Sequence, residues 1–250
     1  MEEDFFRFSI LAEFPEIIHG ISTRRYGNMS LYRGEKEKVI SNREQFFSNL
    51  GINIDQVVVA GMVHGARVAE VGASDQGRGA KSNETAIENS DGLITTDKNV
   101  FLTVTAADCL PILAYDPAIR MVGIAHAGWR GIIGGIVPEL ASLFQRHGGS
   151  PENLIVGIGP GICQRHFVVK KDVLDEFMDI YPETVFIRNK DGYVDLKKAV
   201  SNHFLKLGVG KNNLEVSHYC PMCNNGLFGS FRLERDAVVT SAAVIGLKED

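Results

Sequence analysis

Five apolar runs constrain this chain more than anything else in it: VVVAG (57–61), FLTVTAA (101–107), MVGIAHA (121–127), LIVGIG (154–159) and AVVTSAAVIGL (237–247). Runs this short, rich in Val, Ile and Thr, read as buried strands. Three of the segments carry a reactive side chain at or just past the apolar stretch. These are His64 in VVVAGMVHGARV, Cys109 in VTAADCLPIL and His126 in MVGIAHAGWRG. A buried strand gains nothing from an acid and a thiol side by side, as at Asp108 and Cys109. Loops at strand ends are where the sites of sheet proteins gather.

Helical patterns alternate with these runs: SNREQFFSNLG (41–51), residues 129–147 ending at Gly148-Gly149, KKDVLDEFMDIYP (170–182), and DLKKAVSNHFLKLG (195–208) with Gly208 as C-cap. Strands and helices mixed along the chain give α/β or α+β. No internal repeat, low-complexity tract or Pro/Ser-rich linker breaks the 250 residues, so residues 1–250 are read as one domain. The polar, Gly-containing segment 72–92 is long for a compact domain and reads as a disordered loop or a functional lid.

Charge narrows the partners. A net charge of −5 with no Lys/Arg run argues against nucleic acid polymers and anionic membranes, both of which need a basic footprint. The acidic start MEEDFFRF and the lack of an 18-residue apolar run point to a cytoplasmic protein. In that compartment Cys109, Cys163, Cys220 and Cys223 are buried thiols or metal ligands rather than disulfides. CPMC (220–223) has C-x-x-C spacing, but no second Cys pair completes a zinc site, so this pair is read as structural thiols. It also lacks the preceding Pro and the H-x-E of zinc nucleobase deaminases.

Two imidazoles and a thiolate form the three-ligand set that catalytic zinc uses, with a fourth position open. The spacings of His64, Cys109 and His126 match no short zinc motif. Satisfied core histidines with a buried Cys are therefore the competing reading. The neighbours favour a site: Gly65 and Ala127-Gly128 permit close approach, and Trp129-Arg130 supplies an aromatic face and a permanent cation. A second cation, Arg24, lies in HGISTRR (19–25).

HGISTR, VHGARV, DGLIT, TAADCLPIL, AHAGWRG and GIGPGI, in this order, resemble the signature blocks of the YfiH family, also called laccase-domain or YfiH-type purine nucleoside phosphorylases. The resemblance spans residues 19 to about 235. It implies a single-domain α+β enzyme of layered, mixed β-sheets flanked by helices, and a Zn2+ ion held by His64, Cys109 and His126. It further implies phosphate-dependent cleavage of purine nucleosides (adenosine, inosine, guanosine, methylthioadenosine) together with adenosine deamination. Its partners would be a purine nucleoside and phosphate, and it allows a homodimer.

Within that expectation Arg130 and Arg24 are the candidates for holding phosphate. Asp108 is the candidate to shuttle protons or to orient a ligand imidazole. Met62, Val168, Leu233 and Ala242 stand where the family usually has an amide, a carboxylate and two cations, which thins the polar surroundings of the metal. Three rivals follow from the same residues. The first is a copper polyphenol oxidase, which needs more imidazoles than seven histidines supply. The second is a cysteine or zinc amidohydrolase of peptidoglycan-precursor editing, with Cys109 as nucleophile and His126 as base. The third is a catalytically impaired zinc protein that binds a nucleoside or a protein.

Overall fold

The computed structural model describes residues 4–249. Two six-stranded mixed sheets lie face to face. The first runs, in spatial order, β1 (Phe5–Phe6), β2 (Ile17–Ser22), β15 (Ser241–Leu247), β7 (Phe101–Ala106), β3 (Val57–Gly61) and β5 (Ile87–Glu88). The second runs β14 (Leu214–Val216), β10 (Ile155–Ile158), β8 (Leu110–Asp116), β9 (Met121–Ala127), β6 (Gly92–Thr95) and β4 (Val68–Glu70). A small third sheet orders β11 (Val168–Val169), β13 (Asp191–Val194) and β12 (Val185–Arg188).

The period-2 alternation of a strand sends successive side chains to opposite faces, and both faces of both sheets are covered. Leu102, Val104, Ala243 and Ile245 of the first sheet meet Leu93, Leu113, Val122 and Ile124 of the second in the inter-sheet core. Phe101, Ala242 and Val244 face the other way, onto Phe46 and Phe47 of α2 (Lys36–Asn49). The outer face of the second sheet packs against α4 (Ile136–Arg146), α5 (Lys171–Ile180) and α6 (Leu196–Lys206) through Leu140, Phe144, Phe177, Val200 and Phe204. Short helices α1 (Ser9–Ala12), α3 (Trp129–Ile133) and α7 (Phe231–Glu234) complete the set among the described residues. This is the layered α+β arrangement that the resemblance implies. Among the described residues no helix is long and apolar enough to cross a membrane.

Several sequence expectations shift. The helix expected over 129–147 is two, because Gly135 adopts φ +91° and ends α3 one residue after Gly134. The strand expected from 237 begins only at Ser241. The helix expected from 41 begins at Lys36. Segment 72–92 is ordered rather than a free loop, and it carries β5. Buried Arg43 of α2 donates to the Gly79 and Ala80 carbonyls and, through Nε, to that of Met29, fixing the middle of the segment on the helix.

His19 of β2 is buried, and its Nε2 accepts the Phe8 backbone N–H at 3.0 Å. Burial, with Arg7 nearby, lowers its pKa to about 4. The folded state thus refuses a proton that the unfolded chain accepts near pH 6.5. The resulting stability is present above pH 6.5 and is lost as the pH falls towards 4, by about 3 kcal/mol in all. Urea unfolding at pH 7.5 and pH 5 is expected to show about 2 kcal/mol of that loss. His19→Gln, which keeps an acceptor, should lack this component; an unchanged pH dependence would refute the assignment.

Candidate metal centre

In the first sheet β3 runs parallel to both β5 and β7, so all three strands end at one edge. Each then crosses to the second sheet: β3 to β4 through 62–67, β5 to β6 through 89–91, and β7 to β8 through 107–109. His64, Asp91 and Cys109 sit on these crossings. His126 arrives from β9, paired with Pro111 at the start of β8. Topology therefore gathers at one point residues far apart in sequence. The crossings are tight, and each places a non-glycine residue at positive φ: His64 (61°), Asn89 (52°) and Asp108 (78°). His, Asn and Asp tolerate this conformation better than most side chains.

His64, Cys109 and His126 present donor atoms that all lie within 4.8 Å of one another. The two imidazoles meet edge to face, with centroids 4.9 Å apart. His126 is buried, Cys109 half-buried and His64 exposed, so the cluster opens to solvent on the His64 side. Gly128, at the N-terminus of α3, closes another side. A Cβ there would sit 3.2 Å from Cys109 Sγ and 3.3 Å from His64 Cδ2, so only glycine leaves the cradle clear.

Asp91 organises the cluster, and sequence reading missed it. Its carboxylate is fully buried and takes four N–H donors. Oδ1 accepts from the His64 backbone (2.9 Å) and from His126 Nδ1 (2.9 Å); Oδ2 accepts from the Val63 (3.1 Å) and Gly65 (2.7 Å) backbones. One side chain thus shapes the His64 loop and orients the His126 ring with Nε2 free for the cluster. Burial alone would raise the Asp91 pKa, but the hydrogen bonds from His126, Gly65 and Val63 bring it below the ordinary value. A signal was available: Asp91 directly precedes the apolar GLIT of β6, as the other site residues adjoin apolar runs.

The electrostatics favour a thiolate. Burial pushes the Cys109 thiol up, yet the charge of His126 and the hydrogen bonds of both imidazoles bring it down to about 6. Burial opposes a charged His126, and Cys109 and Asp91 overcome it, raising that imidazole to about 10. Both shifts favour a thiolate beside a protonated imidazole, whose proton a divalent cation would displace. A thiolate, two imidazoles and an open side fit the ligand chemistry of a catalytic metal.

Asp108 does not orient an imidazole; Asp91 does. Asp108 Oδ2 accepts from Ser230 Oγ (3.1 Å) and the Arg232 backbone N–H (2.6 Å), while its buried Oδ1 has no hydrogen-bond partner among the described residues. Arg24 joins the same network: it pairs with Glu234, whose other oxygen accepts from the Ser230 backbone at 2.9 Å. Arg130 stands apart, exposed, with its guanidinium 4.3 Å from the centroid of the Trp129 ring and no ion pair among the described residues. Of the substituted positions, Ala242 is buried against the α2 core, and Met62 packs on the inter-sheet core. Val168 and Leu233 are exposed, as is Val63 next to His64.

The family model described as "Multi-copper polyphenol oxidoreductase laccase" matches residues 14–248. A purine nucleoside phosphorylase from Geobacillus stearothermophilus is 32% identical over 95% of this chain and 92% of its own length. An adenosine deaminase from an unknown prokaryotic organism is 28% identical over 82% of this chain and 80% of its own. The crystal structure of YlmD from Geobacillus stearothermophilus superposes with a TM-score of 0.93 at 31% identity, covering 100% of this chain and 98% of that one.

Proposed function

The chain belongs to the family described as multi-copper polyphenol oxidoreductase laccase, and from that premise we propose that it is a zinc-dependent purine nucleoside phosphorylase that also deaminates adenosine. The observation that carries this reading is the open-sided cluster of Cys109, His64 and His126, with His126 held by buried Asp91 and an under-bonded acid, Asp108, beside Cys109. His64, Cys109 and His126 would hold a zinc ion, which would supply Lewis-acid chemistry to the substrate. Asp108 hands a proton to the departing purine, because its free Oδ1 is the one buried carboxylate oxygen of the site without a donor. Arg130, exposed and unpaired, receives phosphate; Arg24 contributes when its partner Glu234 yields. Val63, exposed beside His64, lies against the base or ribose.

The copper in the family's description fits this chain less well. A multicopper centre needs many imidazoles, and of the five other histidines none joins this cluster: His19 bonds Phe8, His147 Glu70 and His203 Tyr181, His218 lies against Tyr219, and His166 sits among Cys163, Cys220 and Cys223. One rival does have an observation in its favour. Cys109, His126 and Asp91 are also the nucleophile, base and orienting carboxylate of a cysteine hydrolase. Metal ligation would quench that thiolate, so metal content separates the two.

The test is liquid chromatography of adenosine, inosine and methylthioadenosine incubated with protein of verified zinc content, with and without phosphate, beside a His126→Ala control. Free base released only with phosphate, and lost in the control, is the expected result. Inosine formed from adenosine without phosphate supports the deaminase activity. Intact nucleosides throughout, from zinc-loaded protein, would overturn the proposal and leave the hydrolase or a binding role.

A further inference from the structure

The thiols of CPMC are not left over. The sequence reading sought a second Cys pair and found none, but the fold completes the set with a C-x-x-H pair, Cys163 and His166. Cys163 precedes the turn Gln164–His166 after β10, and Cys220 and Cys223 lie in the turns after β14. Strands β10 and β14 are neighbours and parallel, so the loops leaving their C-terminal ends start side by side.

His166 Nδ1 is 3.4 Å from Cys163 Sγ, 3.4 Å from Cys223 Sγ and 3.7 Å from Cys220 Sγ. Cys163 Sγ and Cys223 Sγ are 3.8 Å apart, and all four donor atoms lie within 4.8 Å of one another. A tetrahedron around zinc, with Zn–S about 2.3 Å and Zn–N about 2.0 Å, has S···S edges of about 3.8 Å and S···N edges of about 3.5 Å. Four donors at these separations enclose a cation-sized centre. Cys220 and Cys163 also adjoin the apolar core, but core packing alone does not require three sulfurs and a ring nitrogen to face one another at these separations.

The surroundings match a thiolate-rich metal site as well. The Cys163 backbone N–H donates to Cys220 Sγ at 3.3 Å, and the Arg165 guanidinium to Cys223 Sγ at 3.0 Å. Such donors to sulfur support thiolates and orient ligands. Three thiolates, one neutral imidazole and Zn2+ sum to one negative charge, which Arg165 offsets. Lys197, whose Nζ donates to the Ser217 and Tyr219 carbonyls at 2.6 and 2.7 Å, adds a second cation beside the cluster and fixes the approach to Cys220.

We propose that Cys163, His166, Cys220 and Cys223 form a second, structural zinc site, distinct from the His64–Cys109–His126 centre. Four protein ligands leave no open position, so the site binds metal without taking part in chemistry. Its effect is to staple the 160s loop to the loop that leads into α7. The consequence reaches the first centre. Arg232 of α7 donates its guanidinium to the His166 and Val168 carbonyls and its backbone N–H to Asp108. The zinc staple holds the scaffold on which Asp108 is aimed. This proposal stands independently of which reaction the first centre catalyses.

Mass-spectrometric metal analysis of the full chain, saturated with zinc and desalted, is expected to give two zinc ions per chain. Cys223→Ser should lose one, His126→Ala the other. Cobalt bound to the His126→Ala protein should show tetrahedral d–d bands and thiolate charge-transfer intensity of three sulfurs, against one sulfur at the first centre. Should Cys223→Ser fail to fold, His166→Cys serves instead and should retain metal with raised charge-transfer intensity. Zinc content unchanged by Cys223→Ser, a cobalt spectrum of a single sulfur in the His126→Ala protein, or recovery of a disulfide among Cys163, Cys220 and Cys223 from zinc-saturated protein would overturn the assignment.

Discussion

Asp91→Asn is expected to lower zinc affinity at the first centre by about 10- to 100-fold and to destabilise the fold by about 3 kcal/mol or more. The argument is one of donors and acceptors. Each carboxylate oxygen of Asp91 faces two N–H groups, one oxygen the backbones of Val63 and Gly65, the other the His64 backbone and the His126 ring. Asparagine keeps the shape but turns one oxygen into an N–H donor, so whichever way the amide points, two buried donors lose their acceptor. Pointed at Val63 and Gly65, it frees the loop that carries His64. Pointed at His126, it releases the ring and its tautomer. Either way one ligand is no longer held. Competition with a chromophoric chelator measures the first effect and thermal unfolding the second. Wild-type affinity and melting together would show that the carboxylate is not what holds the two histidines in place.

Asp91 also marks what the sequence conceals. The three donors were legible because each is a reactive side chain at or just past a hydrophobic stretch, and a strand end is a place where such a residue has a purpose. The layered fold was legible for a related reason, since uninterrupted apolar runs demand cover on both faces of a sheet. Asp91 carried a fainter contrast, an acid directly before the short apolar GLIT. It closes the polar segment 72–92, where an acid is ordinary, and only the crossing from β5 to β6 makes it a buried one. Strand β8 was obscured by Pro111, which argues against a central strand. The structure accommodates it as the second residue, before pairing with β10 begins at Ile112. The Cys163–His166–Cys220–Cys223 cluster was hidden by distance. Its halves are 54 residues apart (220 minus 166), and only the pairing of β10 with β14 brings them together.

For Asp108→Asn the expected pattern is the reverse of that for Asp91→Asn: activity falls by about 10²- to 10⁴-fold while zinc content and melting temperature are held or raised. The two carboxylates differ in how they are satisfied. Asp91 has more donors than it has oxygens, whereas Asp108 has two donors on Oδ2 and none on its buried Oδ1. Burial therefore dominates at Asp108 and raises its pKa above the ordinary carboxylate value, with Ser230 and Arg232 opposing. For an acid with a raised folded pKa, stability is greatest where the carboxyl is protonated and is lost as the pH rises through that value. Above that value the ionised side chain works against the fold, and an uncharged amide should relieve it. With its pKa raised and an unpartnered Oδ1 one residue from Cys109, Asp108 fits the proton donor of the proposed reaction. Steady-state rates, zinc analysis and thermal melts on the one variant decide the matter. Loss of zinc along with activity would make Asp108 a support of the metal rather than a proton carrier, and near-wild-type turnover would remove it from the reaction altogether.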